Sequence, residues 1–142
     1  MGPVIEFKDI KEANEYLKEW KKKLYLDDWI IKVSLVEAND LPNYAGYNDF
    51  NIEKQSSHIR IAKLTEDTKN RIMKVCHEHT LVHELLHLKF NFLENADTYE
   101  GKFLEIMEHQ LIDQMARSLI MAKYNLTPDW YDNNEVDNEQ GQ

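Results

Sequence analysis

The chain reads as an α+β protein. It should have a short three-stranded sheet, antiparallel or mixed, packed on an N-terminal helix, a central helix and a C-terminal helix. Three observations predict this. Apolar residues recur at helical spacing in three separate stretches, a period-two alternation falls between the first two of them, and the apparent strands follow one another without intervening helices. With 142 residues there is room for one buried core, assigned to residues 1–131, followed by an acidic tail over 132–142.

The first helix starts at Asp9, a capping residue, with Glu12 three positions on as the partner of a capping box. Ile10, Ala13, Leu17, Trp20 and Leu24 form its apolar stripe, with Tyr16 alongside, and Lys21-Lys22-Lys23 complement the dipole at its end. Trp29 to Glu37 alternates as a strand, with Ile31, Val33 and Leu35 on one face. Tyr44 to Glu53 is a second strand in which Gly46 relieves crowding or marks a bulge. His58-Ile59-Arg60-Ile61-Ala62 is a third, with Ile59 and Ile61 inward, and the short connections favour a meander.

Thr65 or Asp67 caps the next helical region, whose apolar stripe runs from Ile72 and Met73 through Leu81 and Leu85 to Phe90; the central helix proper is expected over about Glu78 to Leu93. Asn95-Ala96-Asp97 marks a loop. The last helix, about Lys102 to Tyr124, carries Leu104, Met107, Leu111, Met115, Leu119 and Ala122 as its main stripe, with Ile112 beside it, and Thr127-Pro128 ends the helical part.

Composition excludes several roles. A net charge of −9 argues against general nucleic-acid binding. No apolar run reaches the ~20 residues of a membrane span, and the start of the chain does not resemble a signal peptide. The single cysteine, Cys76, excludes an intrachain disulfide and a cysteine-rich metal site, and suits a reducing cytoplasm. The expected molecule is a cytoplasmic monomer.

The chemistry lies in Thr80-Leu81-Val82-His83-Glu84-Leu85-Leu86-His87-Leu88. Histidines four apart on a helix share a face, so His83 and His87 can reach one Zn²⁺, with Glu84 beside the open side of the metal as a base towards water. Catalytic zinc needs a third protein ligand. Glu94, Glu100, Glu105, Glu108 and His109 follow the motif; those on the last helix are better placed, because a rigid element holds a ligand within the tolerance of a metal. Glu105, His109 and Asp113 share a face there, and Asp113 is a candidate to orient a metal-binding imidazole from behind. Glu108 lies nearer the apolar stripe, where an isolated carboxylate is costly and a metal would justify it. His77 and His79 are expected to be hydrogen-bonded histidines at the helix entry, and His58 a surface residue.

The run Thr80–Leu88 resembles the small metallopeptidases carried by phages and mobile elements, which are similar to the minigluzincins, a compact zincin fold; the resemblance covers about Tyr44 to Tyr124. The run Glu108-His109-Gln110-Leu111-Ile112-Asp113-Gln114-Met115-Ala116-Arg117 resembles the second helix of that family, where a glutamate ligand precedes an aspartate by four. Counting back from Asp113 lands on His109. Either His109 replaces the glutamate or Glu108 takes the role after a small rotation; His109 is favoured because it keeps the four-residue step. The resemblance implies a zincin-like fold and a zinc-dependent peptidase acting on a peptide or protein, with Glu84 as base and His83, His87 and His109 as ligands. It also implies that His58–Ala62 pairs with extended substrate. The acidic tail, 132–142, reads as a disordered, solubilising end; the resemblance offers the alternative that Trp130-Tyr131 and the residues after them fold over the cleft and limit access. The oxyanion-stabilising residue is left open among Tyr44, Tyr47, Tyr99, Tyr124 and Tyr131. Two other readings stand beside this one: a SprT-like or regulatory peptidase acting on a DNA-associated protein, and a zincin scaffold that only binds a partner.

Overall fold

The computed structural model describes residues 2–71, 73–91 and 99–132. Helix α1 spans Ile10–Lys23 and is capped by Asp9, whose side chain accepts from Glu12 N at 2.8 Å. The Glu12 side chain reaches back to Lys8 N at 3.0 Å rather than to the cap residue itself. Ala13, Leu17 and Trp20 are buried, whereas Ile10 at the edge of the predicted stripe is exposed. The helix ends with Tyr25 at φ 56°, where Leu26 N bonds back to Lys21 O, closing the last turn.

Strands β1 (Ile30–Val36), β2 (Gly46–Asn51) and β3 (Ser56–Ala62) form one mixed sheet in the order β1-β3-β2. The expected meander is not what forms. β3 is central, parallel to β1 and antiparallel to β2. Burial accords with this order: Ile59 and Ile61 are fully buried in the middle strand, and the polar β2 lies at an edge. Both sides of β3 are therefore paired, and His58–Ala62 has no open edge for another chain. Of the two edge strands, β1 packs on α1 and β2 on the central helix. The register of β2 is regular from Gly46↔Ile61 to Asn51↔Ser56, so Gly46 makes no bulge.

Helix α2 is a single turn, Glu66–Lys69, capped by Thr65 in a reciprocal box with Thr68. The stripe expected through Met73 and Val75 breaks there: the chain is not helical again until His77, and Met73 bridges Asp132 instead. Helix α3 (His77–Phe90) is capped by Cys76, whose sulfur accepts from His79 N at 3.3 Å. Ten of its fourteen residues are buried, so it is the central element of the core. Burial pushes the Cys76 thiol up to about 12, which leaves it a packing residue.

Helix α4 (Tyr99–Tyr124) packs along α3, and its orientation differs from the predicted stripe. Ile112, Ala116 and Ile120 are fully buried, with Glu108 one turn earlier on the same line. Leu104, Met107 and Leu111 are exposed. The helix has apolar residues on two faces, and the one carrying small Ala116 allows the closest approach to α3. A short 3-10 helix, Pro128–Tyr131, then brings Tyr131 back against α3. No helix among the described residues is long and apolar enough to cross a membrane. Glu94, the Asn95-Ala96-Asp97 loop and the tail from Asn133 lie outside the described residues.

Candidate metal centre

Helix α3 places His79, His83 and His87 at successive four-residue steps along one line, and α4 lays Glu108, His109 and Asp113 against it. The donor atoms of His83, His87 and His109 lie within 4.8 Å of one another. Ring centroids are 5.1 Å apart for His83 and His87 and 5.0 Å for His87 and His109. Three imidazole nitrogens at such separations could hold a metal ion, since nitrogen ligands at about 2.0–2.1 Å from one ion stand a few ångströms from each other. His83 and His87 are both pulled down to about 4, first by burial and then by neighbouring histidines, so they are neutral at pH 7 and present lone pairs. His109 is the exposed member of the three.

Carboxylates stand behind two of these rings. Glu108, 1% exposed, has Oε1 3.4 Å from His87 Nδ1. Asp113 Oδ1 lies 3.9 Å from His83 Nδ1 and hydrogen-bonds His79 Nε2 at 3.2 Å. Each Nδ1 faces an acid, which leaves the Nε2 atoms for an ion. His109 stands with His83 and His87, Glu108 sits behind His87, and Asp113, a candidate to orient one of the site's imidazoles, lies behind His83 and His79. His79, His83 and Asp113 form a second group of donors within 4.8 Å. The hydrogen bond to His79 holds the Asp113 carboxyl below its usual range, and Arg117 Nη2 at 3.0 Å from Oδ2 adds to it. Glu105 lines the cleft near His109, and Glu100 is exposed.

Glu84 is buried at 8% exposure and lines the same cleft, about 770 Å³, as the three histidines. Burial raises its carboxyl to about 7. Its turn of helix is fixed by β2: Asn48 Nδ2 donates to Glu84 O at 2.7 Å, and Asn48 Oδ1 accepts from Ser57 Oγ at 2.6 Å. Gly46 explains how β2 comes so close. A Cβ there would stand 2.7 Å from Thr80 Cγ2 and 3.4 Å from Glu84 Cγ. Of the candidate tyrosines, Tyr44, Tyr47 and Tyr131 line the cleft, while Tyr124 donates to Glu78 on the opposite flank of α3. The side chain of Tyr99 lies outside the described residues.

Sequence reasoning missed two roles. Tyr131 donates to or accepts from His79 Nδ1 at 3.0 Å, continuing a chain of contacts through His79 to Asp113. Glu78 is fully buried and accepts from Val4 N, Trp20 Nε1, Lys123 Nζ and Tyr124 Oη, binding the N-terminal segment, α1 and α4 to the start of α3. The only hint in sequence was a charged residue amid the run from Cys76 to His79. Searches against protein families, curated proteins and solved structures found no match to this chain.

Proposed function

We propose that the protein is a zinc-dependent peptidase of the minigluzincin kind, with His83, His87 and His109 as zinc ligands and Glu84 as general base. The observation that carries this is the convergence of three imidazoles from α3 and α4 within 4.8 Å, in one cleft with a buried glutamate one residue after the first of them. Bound zinc supplies Lewis acidity, acidifying water and polarising a carbonyl. The residues supply the rest. Glu108 and Asp113, 3.4 Å and 3.9 Å from Nδ1 of His87 and His83, would favour the tautomers that turn Nε2 to the ion. Burial raises Glu84 to about 7 in the metal-free chain, and a divalent cation held by the three histidines would favour its carboxylate form. Glu84 takes a proton from the attacking water and returns it to the leaving amine.

The substrate is an extended peptide. β2 is an edge strand lying along the cleft, and its free side offers backbone donors and acceptors to a chain laid beside it. This role moves from His58–Ala62, whose two sides are taken. The free, buried Cys76 accords with work in the cytoplasm, and the likeness of the two helical runs to phage and mobile-element metallopeptidases accords with such an origin.

The test is zinc content and cleavage of an unfolded protein, for the wild-type chain and for Glu84→Gln. The expected result is one tightly held zinc in both and cleavage in the wild type alone. Zinc in both with no cleavage by either would leave a metal-binding scaffold, and equal cleavage by the two would remove Glu84 as the base.

A further inference from the structure

The cleft does not end at the histidines. It continues past His79 to the start of α3, where Arg71, Lys74 and Arg117 line it beside Tyr131. These three cations line one cleft in a chain whose net charge is −9, and Glu105 and His109 line the same cleft. Arg117 is only partly engaged: Nη2 meets Asp113 Oδ2 at 3.0 Å, while Nε is buried without a hydrogen-bond partner among the described residues. Lys74 is held in place, its ammonium 4.4 Å over the Trp130 ring and its backbone N donating to Tyr131 O at 2.8 Å. The first N–H groups of α3 are already spent, on Ile5 O, Val4 O and the Cys76 sulfur, so the side chains and not the helix end are the receptor. Among the described residues that line this part of the cleft and the adjoining hollow, the acids are Asp113, which meets Arg117 and His79, and the exposed Asp132.

We propose that Arg71, Lys74 and Arg117 form a subsite for a carboxylate of the bound peptide, either an acidic side chain or the C-terminus, so that the cleft selects acidic substrates. This rests on the peptidase reading above, because the same continuous cleft holds the zinc ligands. A carboxylate at one end and the scissile bond at the metal would fix the position and direction of the chain along β2. Arginine suits this task, since its planar fork pairs carboxylates with defined geometry.

The experiment measures binding of fluorescent eight-residue peptides to full-length, zinc-supplemented Glu84→Gln by anisotropy. One aspartate is walked through an otherwise neutral peptide and compared with asparagine at the same position, each with a free and an amidated C-terminus. The expected result is about tenfold tighter binding for aspartate at one position, or for the free acid over the amide, falling towards parity when Arg71→Gln and Lys74→Gln are added and at raised salt. Arg117→Gln, which also releases Asp113, is run separately. Equal affinity for acid and amide forms at every position, an acid preference that survives the Arg71/Lys74 double substitution, or no binding by any peptide overturns the subsite. Wild-type cleavage of the same peptides is followed in parallel. Acid-selective binding without cleavage sinks the peptidase reading alone, and cleavage without acid preference sinks the subsite alone.

Discussion

Replacing Glu78 by glutamine should cost the fold about 3 kcal/mol, and the figure comes from its four hydrogen bonds. Oε1 accepts from Val4 N at 3.1 Å and from the Tyr124 hydroxyl, and Oε2 accepts from Trp20 Nε1 at 2.8 Å and Lys123 Nζ at 2.7 Å. A glutamine amide must aim its NH₂ at one of these pairs. The cheaper choice is the first, because the Tyr124 hydroxyl can turn and accept, which strands Val4 N–H alone. That lost bond costs about 1–3 kcal/mol. Lys123 keeps Glu19 at 2.8 Å but loses the fully buried charge, worth about 1–2 kcal/mol more after that compensation. At a few degrees per kcal/mol for a domain of this size, the melting temperature should fall by roughly 10 °C. Glu78→Leu, which removes the acceptor from Val4 N, Trp20 Nε1 and the Tyr124 hydroxyl and leaves Lys123 with Glu19 alone, should cost about 5 kcal/mol or fail to fold. Urea unfolding of the metal-free protein at pH 7.5 measures both. A Glu78→Gln chain within about 0.5 kcal/mol of wild type would refute the idea that this carboxylate holds α3 to α1 and α4. A purely anchoring role also predicts zinc affinity within a few-fold of wild type under conditions where the variant stays folded.

Gly46→Ala should destabilise by about 1–3 kcal/mol and cut cleavage, because its Cβ would meet Thr80 Cγ2 at 2.7 Å and push β2 from the Glu84 turn; unchanged thermal unfolding would oppose this. His109→Ala should lower zinc affinity, read by chelator competition, far more than Glu108→Gln, for which a loss of about 10–100-fold is expected; the reverse order would return Glu108 to the ligand set. In the metal-free chain, His77, His83 and His87 all have pKa values depressed by burial, the last two to about 4. Their contribution to stability is therefore complete above the unfolded value near 6.5 and is lost as pH falls towards 4, so urea midpoints measured from pH 7 down to pH 4.5 should decline, and a flat profile would contradict it. Glu84 has the opposite sign: its raised pKa means stability is lost as pH rises through about 7, so metal-free Glu84→Gln should be more stable than wild type at pH 8, a gain that saturating zinc should diminish.

The elements with a single strong period were legible in the sequence. Asp9 does start α1, Thr65 does cap α2, and Val33, Ile59 and Ile61 do face inward. Strand order was not legible, because alternation fixes which face of a strand is buried and says nothing about its neighbour. Only the assembled sheet has the buried Ile59 and Ile61 in the middle strand and the polar β2 at an edge. The start of the central helix was legible to within a residue, expected at about Glu78 and found at His77, although the apolar residues from Ile72 to Cys76 also fit a helical stripe and Met73 is exposed and bridges Asp132.

The helix α4 gives the clearest account of what decides the site. Its sequence offers two apolar lines, Leu104-Met107-Leu111 and Ile112-Ala116-Ile120, and counting residues cannot rank them. Packing against α3 can, and the second line wins. That choice turns Glu108 inward, where Oε1 reaches His87 Nδ1 at 3.4 Å, and brings His109 and Asp113 round to the cleft. A rotation of one residue, some 100° of helix, would have swapped Glu108 and His109. The four-residue step to Asp113 pointed at His109 for a different reason than the one the fold supplies. Asp113 lies behind His79 and His83; His109 and Asp113 share a face by their four-residue spacing, and the burial of Ile112, Ala116 and Ile120 turns that face towards His79, His83 and His87. Enlarging Ala116, fully buried in the contact between the helices, should therefore disturb metal affinity as well as stability, although it touches no metal-binding ring. Ala116→Leu with zinc affinity unchanged in the folded protein would mean that the histidines find their geometry without the packing of α4.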